Sequence, residues 1–368
     1  MPVDLGVCSS FGAAGPLKTA LGLLSITALI VGPERPVLDA SLRPPAEPAL
    51  FGPGWRETVI ARNHHYMKAI AFEDVSVTDD QGASYVLRTR EKAGFPVSMV
   101  RPTRTAVDLV LELEPLPPPG RAWFELSSPA GSPIRLLAAD RSEPRVGAAV
   151  PLPGTAAERD LSLLAMTLIE GELRRQAGVE EQCAWALARA AEAARSGELA
   201  ATSELPGQLA ALSAALTADR VLAADRPDGL PPGWSGMIAA ARRSDGPPLQ
   251  LDIAAALPVV NDTAVQVDTL ISQPGSWRVY LRASPAWLRR GHDPPSFRPV
   301  MTVHAEDDRG GSYLAGPAGE RHHYPIGAAG QDAVEVVIKL WPRLDPLARA
   351  LTLTFEGPSE QVTLDVAW

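Results

Sequence analysis

Four of the six histidines stand in two adjacent pairs, His64-His65-Tyr66 and His322-His323-Tyr324. Imidazole is a common metal ligand, so such pairs invite a metal reading. Their spacing argues against it. Neighbouring residues on a strand point to opposite faces, so each pair offers a metal only one ligand. No Cys-x-x-Cys or His-x-x-x-His set completes either pair. They read as surface or loop histidines, and neither a metal nor another cofactor is expected.

Two acidic turns are the next candidates. Asp79-Asp80-Gln81-Gly82-Ala83-Ser84-Tyr85 returns as Asp307-Asp308-Arg309-Gly310-Gly311-Ser312-Tyr313, with five of seven residues identical. Carboxylates beside a glycine could hold calcium, but the longer run of spaced oxygen ligands that a calcium loop needs is missing. A hairpin explains the pattern without an ion. Aspartates start a type I turn, and the glycine supplies the positive φ of a G1 bulge.

Nucleophile and phosphate signatures are absent. Gly233-Trp234-Ser235-Gly236 lacks the last glycine of a G-x-S-x-G elbow, and no P-loop or G-x-G-x-x-G occurs. No catalytic residue is assigned. Trp55, Trp234, Trp277, Trp287 and Trp341 lie near Pro or Gly in expected loops. Aromatics are enriched at binding hot spots, although capping the ends of a β-domain is the commoner use of a loop tryptophan. Around Trp287 the chain adds Arg289, Arg290 and His292, which together suit an acidic protein surface. The candidate partner-binding residues are Trp55, Trp287, Arg289, Arg290 and His292.

The elements that must position these residues begin with a repeat. A shift of 228 positions superposes the two acidic turns, and it also carries Leu116, Pro118, Arg121 and Ala122 onto Leu344, Pro346, Arg349 and Ala350. It then carries Ile134 and Leu136 onto Val362 and Leu364. Both copies alternate at period two: Val107, Leu109, Leu111 and Leu113 in one, Val334, Val336, Ile338 and Leu340 in the other. That period is the signature of strands with one face buried. The 36 prolines and 30 glycines favour short strands joined by turns.

The Asp-Asp-x-Gly-x-x-Tyr hairpin followed by paired strands resembles immunoglobulin-like modules of bacterial proteins. The resemblance implies a fold only. Two duplicated antiparallel β-sandwiches are therefore expected, over residues 14–145 and 246–368. Between the first Leu-Ile-x-x-Pro element and its acidic turn, the first copy carries 13 more residues than the second, near positions 44–65. Loop insertions are thermodynamically cheap and often functional.

Residues 155–225 differ in character. Thr155-Ala156-Ala157-Glu158 is a capping box, followed by Leu161, Leu164 and Leu168 on one helical face. Cys183, Leu187, Ala190, Ala191 and Ala194 continue as a thin stripe suited to close packing, and Leu209, Leu212 and Leu216 mark a third helix. Gly197 ends the second helix. So many leucines need a partner surface, which a flexible linker would not.

Bulk properties narrow the function classes. A net charge of −9 argues against a nucleic-acid binder, and the clusters Arg174-Arg175, Arg242-Arg243 and Arg289-Arg290 read as solvated surface. Cys8 and Cys183 show no disulfide or zinc spacing, which fits free thiols in a reducing compartment. The apolar run at 17–32 is short for a membrane span, and no basic segment precedes it, so it reads as strands. A cytoplasmic protein without a membrane span is expected, with a protein partner or self-association. The leading expectation is a non-catalytic interaction or scaffold module. An extracytoplasmic sugar-binding protein and an enzyme with a site beside the helical unit are the alternatives.

Overall fold

The computed structural model describes residues 8–13, 15–20, 22–32, 36–43, 72–89, 107–217, 229–244, 246–260, 262–273, 276–284, 288–290, 297–299, 301–315, 324–325 and 334–368. The chain divides into two compact units. The first comprises Asp4–Arg141 with Gln250–Ala254, and the second is built from Ser142–Leu249 and Ala255–Trp368.

Nine strands form the first unit's sheet: β1 (Ser9–Ala13), β2 (Leu17–Thr19), β3 (Gly22–Val31), β4 (Pro36–Arg43), β5 (Ser76–Asp79), β6 (Ser84–Thr89), β7 (Val107–Glu114), β8 (Trp123–Ser127) and β9 (Ile134–Ala138). Their order is β1-β9-β8-β5-β6-β7-β4-β3-β2. Strand β1 also pairs with β3, matching Ser9 to Val31, while its other edge matches Phe11 to Ala138 of β9. The sheet therefore closes on itself and removes its own edges. The run at 17–32 forms β2 and β3, as its sequence leads one to expect.

One bulge sets which face of β3 looks inward. The β3–β4 register shifts between Ile26 and Ala28. Before it Leu24 and Ile26 are buried; after it the inward parity passes to Leu29 and Val31. An inserted residue does this because side chains alternate along a strand. The core these strands enclose includes Phe11, Leu38, Leu111, Phe124 and Leu136. Phe11 meets the Phe124 ring edge-on at 4.9 Å. Burying each such side chain stabilises the fold by about 1.5–3 kcal/mol.

After β10 (Asp140–Arg141), the second unit opens with β11 (Glu143–Val146) and β12 (Val150–Pro151). Four helices follow: α1 (Ala156–Leu173), α2 (Val179–Ser196), α3 (Leu205–Thr217) and α4 (Pro232–Ala241). The capping box at α1 is complete: Glu158 N–H donates to Thr155 Oγ1 at 3.1 Å, and Thr155 N–H donates to Glu158 Oε2 at 2.9 Å. Gly197, at φ +75°, ends α2 in the left-handed region that side chains avoid. The buried stripe of α2 is Cys183, Ala186, Ala190 and Ala193, with Ala191 and Ala194 outward, a small rotation from the face expected. Leu161, Leu168, Leu209, Leu212, Trp234 and Ile238 form one core with Leu314 of the second sheet. The leucines of the helical segment thus find a partner within their own unit.

The remaining strands are β13 (Leu249–Ala256), β14 (Ala264–Gln273), β15 (Ser276–Ser284), β16 (Leu288–Arg290), β17 (Phe297–Pro299), β18 (Thr302–Asp307), β19 (Ser312–Ala315), β20 (Tyr324–Pro325), β21 (Val334–Trp341), β22 (Ala350–Glu356) and β23 (Glu360–Ala367). From β14 the order runs β14-β15-β21-β19-β18-β22-β23, and β11 and β12 both pair with β23. The same path in the first unit is β3-β4-β7-β6-β5-β8-β9. The bulge recurs too, between Val267 and Thr269 of the β14–β15 pair. Trp277 lies fully buried in this core, edge-on to Tyr313 at 5.1 Å, with its indole N–H donating to Pro342 O at 2.8 Å.

The chain is mainly β with a helical segment, as expected; among the described residues it has four helices, and α4 lies beyond the expected 155–225 span. Its two β-regions are barrel-like sheets, whereas two facing layers per domain were expected. A sandwich interrupts its hydrogen bonding between layers; the first sheet here is continuous through β1.

Candidate functional site

The acidic turns are dense polar clusters among the described residues, and both form the hairpin that the motif predicts. In the first unit Gly82 N–H donates to Asp79 O and Asp79 N–H donates to Ala83 O, each at 3.0 Å, with Gly82 at φ +80°. The Asp79 carboxylate sits beneath this turn, 1% exposed. Its Oδ1 accepts from Gln81 N–H at 3.0 Å and Ala83 N–H at 2.9 Å. Its Oδ2 accepts from the Tyr85 hydroxyl at 2.7 Å and from Arg121 Nε. Both oxygens thus face protons rather than a space that a cation could fill.

These contacts fix the charge states. Burial alone would push the Asp79 carboxyl up. The donors from Tyr85, Ala83, Gln81 and Arg121 outweigh burial and lower it to about 2. Tyr85 moves the other way, raised by burial and by its bond to Asp79. Both shifts lead away from neutral pH, as suits a pair that anchors the turn.

The second turn repeats the scheme and enlarges it. Asp307 Oδ1 accepts from Arg309 N–H at 2.9 Å and Gly311 N–H at 2.7 Å, and Oδ2 accepts from the Tyr313 hydroxyl. Tyr313 is fully buried, and burial first, then Asp307, hold its hydroxyl far above the ordinary tyrosine range. The guanidinium here comes from elsewhere. Arg243, just past the end of α4, places Nη1 3.1 Å from Asp307 Oδ2 and 2.8 Å from Asp345 Oδ2. Asp345 also takes Arg309 Nε at 2.7 Å, and its own N–H donates to the Tyr313 oxygen at 3.1 Å.

A constant 228-position shift hides this exchange. The sheets pair Asp79 with Phe124 and Asp307 with Leu351, so Phe124 corresponds to Leu351 and not to Thr352. Beside the second aspartates, Ala122 N–H donates to Asp80 and Arg349 N–H donates to Asp308, both at 3.1 Å. Arg121 therefore corresponds to Ala348, which is buried, and the alignment of Arg121 with Arg349 is corrected by one residue. The signal was in the sequence. Val107–Glu114 before Pro115 matches Val334–Trp341 before Pro342 only when the shift is one residue shorter. Both X–Pro bonds are cis.

One of the arginine clusters needs correction: Arg243, expected to be solvated, is a partner of two buried carboxylates. Arg174 is exposed as expected, and it pairs with Glu170 at 3.0 Å and lies 5.2 Å over the Trp341 ring. Of the tryptophans expected in loops, Trp234 is buried in α4, whose first turn takes up the neighbouring Pro232 and Gly233, and Trp277 is buried in β15.

Among the candidate contact residues, Arg289 and Arg290 lie on β16, opposite Arg298 and Phe297 of β17. Trp55, Trp287 and His292 lie outside the described residues, as do His64, His65, His322 and His323 and the 44–65 expansion. The most exposed described tryptophan is one the sequence reading passed over, Trp185 on α2, at 61%. Nothing in its helical pattern distinguished it from the buried alanine stripe one position away.

Among the described residues, no group of three or more His, Cys, Asp and Glu is placed to hold a metal. No described helix is long and apolar enough to cross a membrane. Cys8 and Cys183 are both buried, and neither is in a disulfide. No protein-family model and no curated protein matches the chain.

Proposed function

We propose that the chain is a non-catalytic protein-interaction or scaffold module, made by tandem duplication of one antiparallel β-domain, immunoglobulin-like in its turns and barrel-like in its sheets. One observation carries this reading. In both units the Asp–Tyr cluster that could have done chemistry is held by donors that build the turn. Shared strand order, shared bulge and shared turn support descent of both domains from one. Partner contact is assigned to Trp55, Trp287, Arg289, Arg290 and His292, with Trp185 as a further exposed aromatic. Two buried thiols outside any disulfide accord with a reducing, cytoplasmic setting.

The test is native capture of the tagged full chain from its own cells, followed by mass spectrometry. A stoichiometric protein partner supports the reading, and its loss with Trp287→Ala/Arg289→Ala, at unchanged circular dichroism, assigns the surface. Equal recovery with that double variant removes the surface, and no stoichiometric partner at all removes the function.

A further inference from the structure

The second acidic turn contains three departures from the first, and they fit together. Where the first turn has Arg121, the second has Ala348, so that position supplies no guanidinium to Asp307. Where the first has Ala83, the second has Gly311. A Cβ there would stand 2.6 Å from Asp307 Oδ2, 2.8 Å from the Tyr313 oxygen and 2.9 Å from Arg243 Nη1. The third departure is Asp345, a second carboxylate on the incoming guanidinium. Two side chains have shrunk and one acceptor has been added around the position that Arg243 fills.

Helix α4 is shaped for the same contact. A Cβ at Gly236 would stand 2.6 Å from Gly310 O and 2.7 Å from Ser312 Oγ, so only glycine lets the helix approach this turn so closely. The Arg243 N–H is itself held at the helix end by Ala240 O at 3.2 Å, and Nη2 reaches Arg309 O at 3.4 Å. Two carboxylate oxygens accept from Nη1 and one carbonyl oxygen from Nη2, so both terminal nitrogens of the planar guanidinium are engaged.

We infer that Arg243 is a latch: it docks the helical segment onto the second sheet by occupying, from α4, the guanidinium place that the first unit fills from its own β-loop. The consequence is mechanical. In the first unit the turn is self-sufficient. In the second, releasing α4 strips the counter-charge from Asp307 and leaves Asp345 with the half-exposed Arg309 alone, so turn and helices open together. A partner that loosens the helices would therefore be felt at β18 and β19.

Amide hydrogen exchange on the full chain tests this with three variants. Arg243→Ala should speed exchange at least tenfold in both α4 and the β18–β19 hairpin. Adding Ala348→Arg to that variant restores a guanidinium from the loop, as in the first unit. It should return protection to the hairpin and leave α4 fast. Arg121→Ala should act on β5, β6 and β8 alone. Unchanged α4 exchange in Arg243→Ala overturns the latch, as does recovery of α4 in the double variant. A hairpin still unprotected in the double variant overturns the equivalence of the two guanidinium places. Should Arg243→Ala not fold, Arg243→Lys, which keeps the charge but not the planar fork, is read by the same criteria.

Discussion

The turns at Asp79 and Asp307 share a buried carboxylate, a tyrosine hydroxyl beneath it and two backbone donors above it, yet they recruit their arginines from different places. Arg121 comes from the loop before β8; Arg243 comes from the end of a helix. The comparison separates two jobs that one motif can do. With a local arginine, Asp-x-x-Gly-x-x-Tyr closes a hairpin. With a distant one, it also fastens whatever carries that arginine. Identical motif residues thus carry different mechanical consequences, and the difference lies in Ala83 against Gly311 and Arg121 against Ala348, which the motif does not include.

The largest expected effect comes from removing the shared charge. Asp307→Asn puts an amide against the Tyr313 hydroxyl and Arg243 and should cost about 2–3 kcal/mol, because the buried carboxylate's charge-assisted bonds are lost while Arg243 keeps Asp345. The loss should spread to the helices. Asp79→Asn should cost somewhat less and stay within the first sheet. Because the chain has two units, unfolding is better read locally, by hydrogen exchange, than from one transition. Equal spread of both variants through the chain would erase the distinction drawn here.

Steric exchange at the third turn position comes next. Gly311→Ala puts a methyl against Asp307, Tyr313 and Arg243 and should cost about 1–3 kcal/mol, as overpacking does. The reverse change in the first unit, Ala83→Gly, adds only unfolded-state freedom and should cost below about 1 kcal/mol. A melting comparison of the two single variants decides it. Similar shifts for both would mean that Gly311 does not make room for the arginine.

Acid should also distinguish this carboxylate from an ordinary one. The Asp79 pKa is about 2 when folded, against an unfolded value of about 3.9. A lowered folded value means that its stabilisation is complete above the unfolded pKa and is lost as pH falls through about 2. Carbon NMR of the Asp79 carboxyl should give a midpoint near 2, and Asp79→Asn should flatten the stability slope of the first unit between pH 4 and 2. A midpoint near 4 would show that the donors around Asp79 do not hold its charge.

How much of this could be read from the chain follows from which interactions are local. The hairpin, the capping box and the alternating strands were legible because each depends on residues within a few positions. Ring closure by β1 was not, since pairing Ser9 with Val31 and Phe11 with Ala138 leaves no periodic trace. Arg243 was missed for the same reason. A charged pair such as Arg242-Arg243 reads as surface until the fold brings Asp307 and Asp345 to it. The one-residue slip that hid Ala348 shows a further limit: insertions between strands break a constant shift, while bulges and register preserve the true correspondence.

The smallest effect sharpens the comparison most finely. Arg309 occupies the place of Gln81, and its Nε lies 2.7 Å from Asp345, but its side chain is 47% exposed. Solvent screens such a pair, so Arg309→Gln should cost only about 0.2–1 kcal/mol and lose most of that in high salt. Gln81→Arg in the first unit should gain nothing, because Ala122 N–H and Arg121 already engage the acidic groups there. A double-mutant cycle of Arg309→Gln with Asp345→Asn measures the coupling directly. A value well above 1 kcal/mol would make Arg309 part of the latch. A value below that leaves Arg243 as the arginine on which the docking depends.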